Sequence, residues 1–145
     1  MSAPLRIAVV GHTNTGKTSL LRTLLRDESF GEVADRPAVT RAVEGAALRV
    51  EGRTAIELFD TPGLEDSIAL LAHLDEARRD RAEDPIEVIE RFLESSEAQM
   101  RFVAEAMVLR QILACDAAFY VVDARSDVLG KHRDELEILA RCARP

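Results

Sequence analysis

The segment "LRIAVVGHTNTGKTSLLRTLL" constrains this chain more than any other. Leu5 to Val10 is a short apolar, β-branched run that stops at a glycine, so it reads as a buried strand. From Lys17 the leucines at 20, 21, 24 and 25 read as one face of a helix ending near Asp27. Between them, Gly11 to Thr18 fits G-x-x-x-x-G-K-[ST]. Gly11 and Gly16 permit a loop that side chains would obstruct, and successive N–H groups of such a loop converge on an anion. The helix starting near Lys17 adds the positive end of its dipole. In this pattern Lys17 reaches the β- and γ-phosphates of a nucleotide, and the Thr18 hydroxyl coordinates Mg²⁺. A chance match is expected in well under ~1 in 100 chains of this size. The phosphate-binding set is therefore Gly11, His12, Thr13, Asn14, Thr15, Gly16, Lys17, Thr18 and Ser19.

With 145 residues, 47% of them hydrophobic, the chain suits one domain with a real core. The net charge of −7 argues against a dedicated nucleic-acid surface, which needs clustered Lys and Arg. It does not oppose a single nucleotide held by one loop. Apolar runs fall far short of the ~20 residues that span a bilayer. "MSAPLR" lacks a secretory pattern, so a cytoplasmic location is expected, with Cys115 and Cys142 as free thiols.

Residues 28–45, with Gly31, Pro37 and Gly45, read as a long surface loop. "AALRV" and "TAIELFD" make a hairpin around Gly52. A helix is expected from Ser67 to Arg79 with Ile68, Leu71 and Leu74 on one face. Asp84 and Pro85 start another, carrying Ile86, Ile89 and Phe92. Ser95 or Ser96 starts a third, carrying Met100, Val103 and Met107 to about Ala114. "AAFYVV" is a buried strand, followed by a helix from about Asp127 to Cys142 with Leu136 and Leu139 inward. The order gives an α/β fold: a mostly parallel sheet with one hairpin and helices on both faces.

A second loop supports the first. "AIELFDTPG" is an apolar strand ending at Asp60, with Gly63 three residues on. Asp60 can hold Mg²⁺ through a water, and the Gly63 amide can approach a γ-phosphate closely.

Together these motifs resemble the G domain of phosphate-loop GTPases of the Era, Der and tRNA-modification (TrmE-like) group. The first loop is similar to that group's G-x-P-N-x-G-K-S, with Thr13 for proline and Thr18 for serine. "RPAVTRAVE" resembles its P-G-V-T-R-D segment at Pro37, Val39, Thr40 and Arg41, departing at Ala38 and Ala42. "DTPG" matches outright, and "AAFYVVDA" is similar to the strand after the second switch. The resemblance implies a Mg²⁺-dependent GTP/GDP switch, with switch I at about 28–45 and switch II at about 60–80. It gives Lys17, Thr40 and Gly63 catalytic roles and places Thr18, Thr40 and Asp60 around Mg²⁺.

Three departures qualify it. Leu64 stands where Ras-like enzymes place a water-orienting glutamine, and an aliphatic side chain cannot polarise water. The group supplies K⁺ through an asparagine, and Asn14 occupies that position; the other reading is that Asn14 bonds only its own loop. The segment between Gly63 and Ala117 exceeds one switch helix and a turn, so a helical insert over about 81–114 is expected. It is either a solvated surface or a partner or dimer surface moving with switch II. Finally, no N-K-x-D occurs. Residues 1–145 are therefore expected to be the N-terminal portion of a G domain that stops before the last strands, as part of a longer chain with a C-terminal domain.

The expected partners are guanine nucleotide, a homodimer through the switch face, and a downstream domain or protein effector. An ATPase or kinase, and an interaction module without turnover, stay open as alternatives. His12 touches a phosphate or partner, or faces solvent; His73 and His132 are expected at the surface. Asp123 is expected to cap the following helix or to lie near the nucleotide. Glu65 and Asp66 position water or simply begin a helix, and Arg41 contacts phosphate or is solvated.

Overall fold

The structure is a computed structural model that describes residues 2–12, 15–25 and 44–145. Its sheet has the strand order β2-β3-β1-β4. Strand β1 (Leu5–Gly11) runs parallel to β3 (Arg53–Asp60) on one side and to β4 (Ala117–Val121) on the other. Strand β2 (Glu44–Val50) pairs antiparallel with β3. The hairpin turns at Glu51 and Gly52, both at positive φ (50° and 78°). That geometry matches the right-handed twist of the flanking strands. Glu44 and Gly45, expected in the preceding loop, belong to β2. Most of the expected loop at 28–45 lies outside the described residues.

Alternation along β1 divides the core into two. Ile7 and Val9 face helix α1 (Lys17–Leu25) and pack with Leu21 and Leu58. Ala8 and Val10 face the opposite side, in a larger cluster with residues of the remaining helices. These are α2 (Ser67–Ala77), α3 (Pro85–Leu93), α4 (Ser96–Met100), α5 (Val103–Leu113) and α6 (Gly130–Ala140). The chain is thus an α/β fold with helices on both faces of the sheet.

Several expected helix faces are rotated. On α1 only Leu21 is fully buried, while Leu20 and Leu24 are exposed. On α2 the inward residues are Ser67, Leu70 and Leu74, and Ile68 faces out. The third expected helix is two, α4 and α5, separated at Phe102. That ring is buried and stacks edge-on against Phe92 with centroids 5.9 Å apart. Turning the chain to bury Phe102 leaves Met100 and Val103 exposed. Helix α6 starts at Gly130 rather than Asp127 and buries Glu135 and Ile138, with Leu136 outward. Asp123 does not cap it; its carboxylate accepts from the Arg125 amide and pairs with the Arg125 guanidinium, which holds its pKa down at about 2. The start of α3 is as expected: Asp84 accepts from the Ile86 amide, and Pro85 opens the helix.

Candidate nucleotide site

The site forms where β1 and β3 end side by side, with Val9 in register with Asp60. Ligands in open α/β sheets bind outside these carboxyl ends. Gly11 is required by close approach: a Cβ there would lie 2.5 Å from the Val121 carbonyl oxygen. Gly16 is required by conformation, at φ +84°.

Around these glycines the loop closes on the His12 carbonyl. It accepts from Thr15 Oγ1 at 3.0 Å and from Lys17 Nζ at 3.0 Å. Lys17 is only 7% exposed. Burial pulls its pKa below the usual lysine value, against the opposing pull of the Asp60 and Glu135 carboxylates. Thr18 Oγ1 donates to Asp60 Oδ2 at 2.5 Å, joining the two motifs directly. Two hard oxygen donors in contact suit Mg²⁺ by donor type. Ser19 is exposed at the surface of α1.

The second loop is fastened to the first. Thr61 is fully buried and donates from Oγ1 to the Val9 carbonyl at 2.8 Å. The Leu64 amide donates to the Gly11 carbonyl at 3.0 Å, with His12 and Leu64 forming a parallel bridge. The Leu64 side chain is fully buried in the larger cluster. Asp66 caps α2, accepting from the Ala69 amide at 3.1 Å.

His12 is not simply solvent-facing. Its Nδ1 donates to Glu135 Oε1 at 2.7 Å, and the other oxygen of this buried carboxylate accepts from the Tyr120 hydroxyl. Burial, together with that bond, raises the Tyr120 phenol above its ordinary range. His73 is half-buried; its ring lies 5.6 Å from those of both Phe92 and Phe102. His132 is half-buried, and its Nδ1 accepts the Leu129 amide. Sequence reasoning missed two buried carboxylates, Glu105 on α5 and Glu135 on α6. The available signal was a charged residue on an otherwise apolar helix face.

Thr13, Asn14, Thr40 and Arg41 lie outside the described residues, so the readings of them rest on sequence alone. Cys115 and Cys142 are free thiols and buried; burial pushes Cys142 up to about 12. Among the described residues no cluster of His, Cys, Asp and Glu could hold a metal by itself, and no helix is long and apolar enough to cross a membrane.

A glycine-bracketed loop between a parallel strand and a helix, with its lysine and threonine beside an aspartate on the next strand, defines a phosphate-loop nucleotide-binding domain. A family model described as a 50S ribosome-binding GTPase matches residues 6–144, and the chain belongs to this family of GTPase domains. Among curated relatives it is 31% identical over 140 residues to GTPase Der of Jannaschia sp. (strain CCS1), covering 96% of this chain and 23% of that protein. It is 29% identical to GTPase Der of Rhizobium johnstonii, covering 96% of the chain and 23% of that protein. Over 66% of the chain it is 32% identical to the tRNA modification GTPase MnmE of Phocaeicola vulgatus, of which that match spans 19%. The chain thus spans less than a quarter of the length of these relatives.

Proposed function

We propose that this domain binds GTP and GDP with Mg²⁺ and hydrolyses GTP as a molecular switch. The observation that carries the reading is the Thr18–Asp60 bond, which brings the ends of both motifs to one point beside Lys17. Lys17 would leave the His12 carbonyl for phosphate oxygens, exchanging a neutral acceptor for an anionic one. The amides of residues 15–18 and the start of α1 would hold the β-phosphate. Thr18 directly, Asp60 through a water and Thr40 from the first switch would hold Mg²⁺, which supplies positive charge to the β- and γ-oxygens. The Gly63 amide would meet the γ-phosphate, so that its loss releases the Thr40 and Gly63 segments.

Guanine preference rests on family membership, since the sequence has no N-K-x-D. K⁺ held through Asn14, a homodimer through the switch face, and output to a further domain or effector belong to the same proposal. Competition of GTP, GDP and ATP against a fluorescent GDP, with phosphate release followed in parallel, tests it. Guanine-selective binding with turnover supports the reading; stronger binding of ATP overturns it.

One observation favours a second reading, a nucleotide-dependent interaction module without turnover. The residue after Gly63 is buried, so its side chain cannot orient water. Tight guanine-nucleotide binding with no phosphate release in either K⁺ or Na⁺ would establish that reading.

A further inference from the structure

Glu105 is a charged residue buried at the start of α5, 3% exposed, and among the described residues it forms no ion pair. An uncompensated buried carboxylate is costly, so its partners define its role. Its two hydrogen bonds among the described residues both come from backbone amides of the second loop. Glu105 Oε1 accepts from Glu65 N at 3.1 Å and from Asp66 N at 2.7 Å. These amides sit at the beginning of α2, where the helix dipole favours negative charge. The preceding amide, that of Leu64, goes to Gly11. Three successive peptides after Gly63 are therefore fixed, one from the phosphate loop and two from α5.

The rest of α2 is braced by the same group of helices. Arg91 Nη2 on α3 donates to the Ala77 carbonyl at its far end at 2.8 Å. His73, midway, lies against Phe92 and Phe102. With α2 braced at its far end and midway, the placement of the loop at its start depends on these three anchored peptides.

We propose that Glu105 is a positioning residue for the second phosphate-side loop. By accepting the Glu65 and Asp66 amides it sets where the Gly63 peptide stands relative to the γ-phosphate, and it couples helices α3–α5 to that loop. Its effect on turnover rests on the GTPase reading; its hold on the loop does not.

The test uses Glu105→Met, which keeps the length and removes the acceptor, and Glu105→Gln, which keeps an acceptor oxygen. In the full chain, amide exchange at Glu65 and Asp66, GDP affinity and the kcat and KM for GTP are measured. Glu105→Met is expected to speed exchange at those two amides and lower kcat about tenfold or more, with GDP affinity within about twofold, because small displacements of a positioning group cost rate rather than binding. Glu105→Gln is expected to retain wild-type exchange and most of kcat. If Glu105→Met does not fold, Glu65→Pro removes one donor from the other side and is expected to lower kcat in the same direction.

Wild-type exchange at both amides in Glu105→Met overturns the proposal. So does a uniform rise in exchange across the domain, faster exchange at the two amides with kcat unchanged, or a Gln variant no better than Met. A wild-type chain that binds no guanine nucleotide would instead defeat the GTPase reading, and the exchange pattern would still decide the role of Glu105.

Discussion

The amide of Leu64 donates to the carbonyl of Gly11 across 3.0 Å, and the Leu64 side chain goes wholly into the core. This hydrogen bond helps tie the second loop to the first, and the residue that makes it turns its side chain away from the nucleotide side. Leu64→Gln should therefore not create a Ras-like water-orienting group. It should bury an amide in an apolar cluster and destabilise the fold by about 2–4 kcal/mol. Denaturant unfolding measures the loss, and a rise in phosphate release at unchanged stability would contradict this account.

The buried Leu64 side chain cannot orient water, so the GTPase reading calls for positive charge from another source. If Asn14 helps hold K⁺, phosphate release should be faster in K⁺ than in Na⁺ at equal ionic strength, and Asn14→Ala should remove the difference. Equal rates in both salts for the wild-type chain would exclude this device.

Gly11 faces backbone rather than a movable side chain. In Gly11→Ala the new Cβ would have to displace the Val121 carbonyl from 2.5 Å, forcing β1 and β4 apart at the mouth of the site. A cost of about 1–3 kcal/mol is expected, as for overpacking elsewhere. A fall in nucleotide affinity should accompany it, measured by titration with fluorescent GDP. Unchanged stability and affinity would show that the strand end yields freely.

Arg91 binds Glu83 through both Nη atoms, at 2.5 and 3.2 Å, and holds that carboxyl at about 2, below its ordinary value near 4.5. A depressed folded-state pKa gives stability that is present above 4.5 and is lost as pH falls toward 2. The melting temperature of the wild-type chain should thus exceed that of Glu83→Gln at neutral pH. The gap should close between pH 4.5 and 2. A gap that stays constant over this range would show that the pair contributes nothing pH-dependent.

The sheet and the phosphate loop were legible because their signals are local. β1 is a continuous apolar run, and the loop depends on residue types at fixed spacing. Helix existence was also legible, as at Asp84–Pro85, but helix facing was not. A face with both Leu20 and Leu21, or Ile68 and Leu71, admits more than one rotation, and the choice falls to tertiary packing. Phe102 decided the break between α4 and α5 by burying its ring, which no spacing of Met100, Val103 and Met107 announced. Glu105 and Glu135 carried a weak signal, a charge on an apolar face, but their burial was not legible from it. A carboxylate on an apolar face reads as solvated until the amides, imidazole or hydroxyl that compensate it are brought from distant parts of the chain.

The unequal division of the core has an energetic consequence. Among the described residues, the α1 side of the sheet rests on Ile7, Val9, Leu21 and Leu58, whereas the other side is filled from five helices. Local opening concentrates where buried apolar contacts are few, so among the described elements α1 should open before the helices of the other face. That is also the part a triphosphate would touch. A ligand that binds only the closed loop adds its free energy to the folded side by mass action. Nucleotide would then serve as a structural staple as well as a substrate, on the face of the sheet where the described residues form the smaller core.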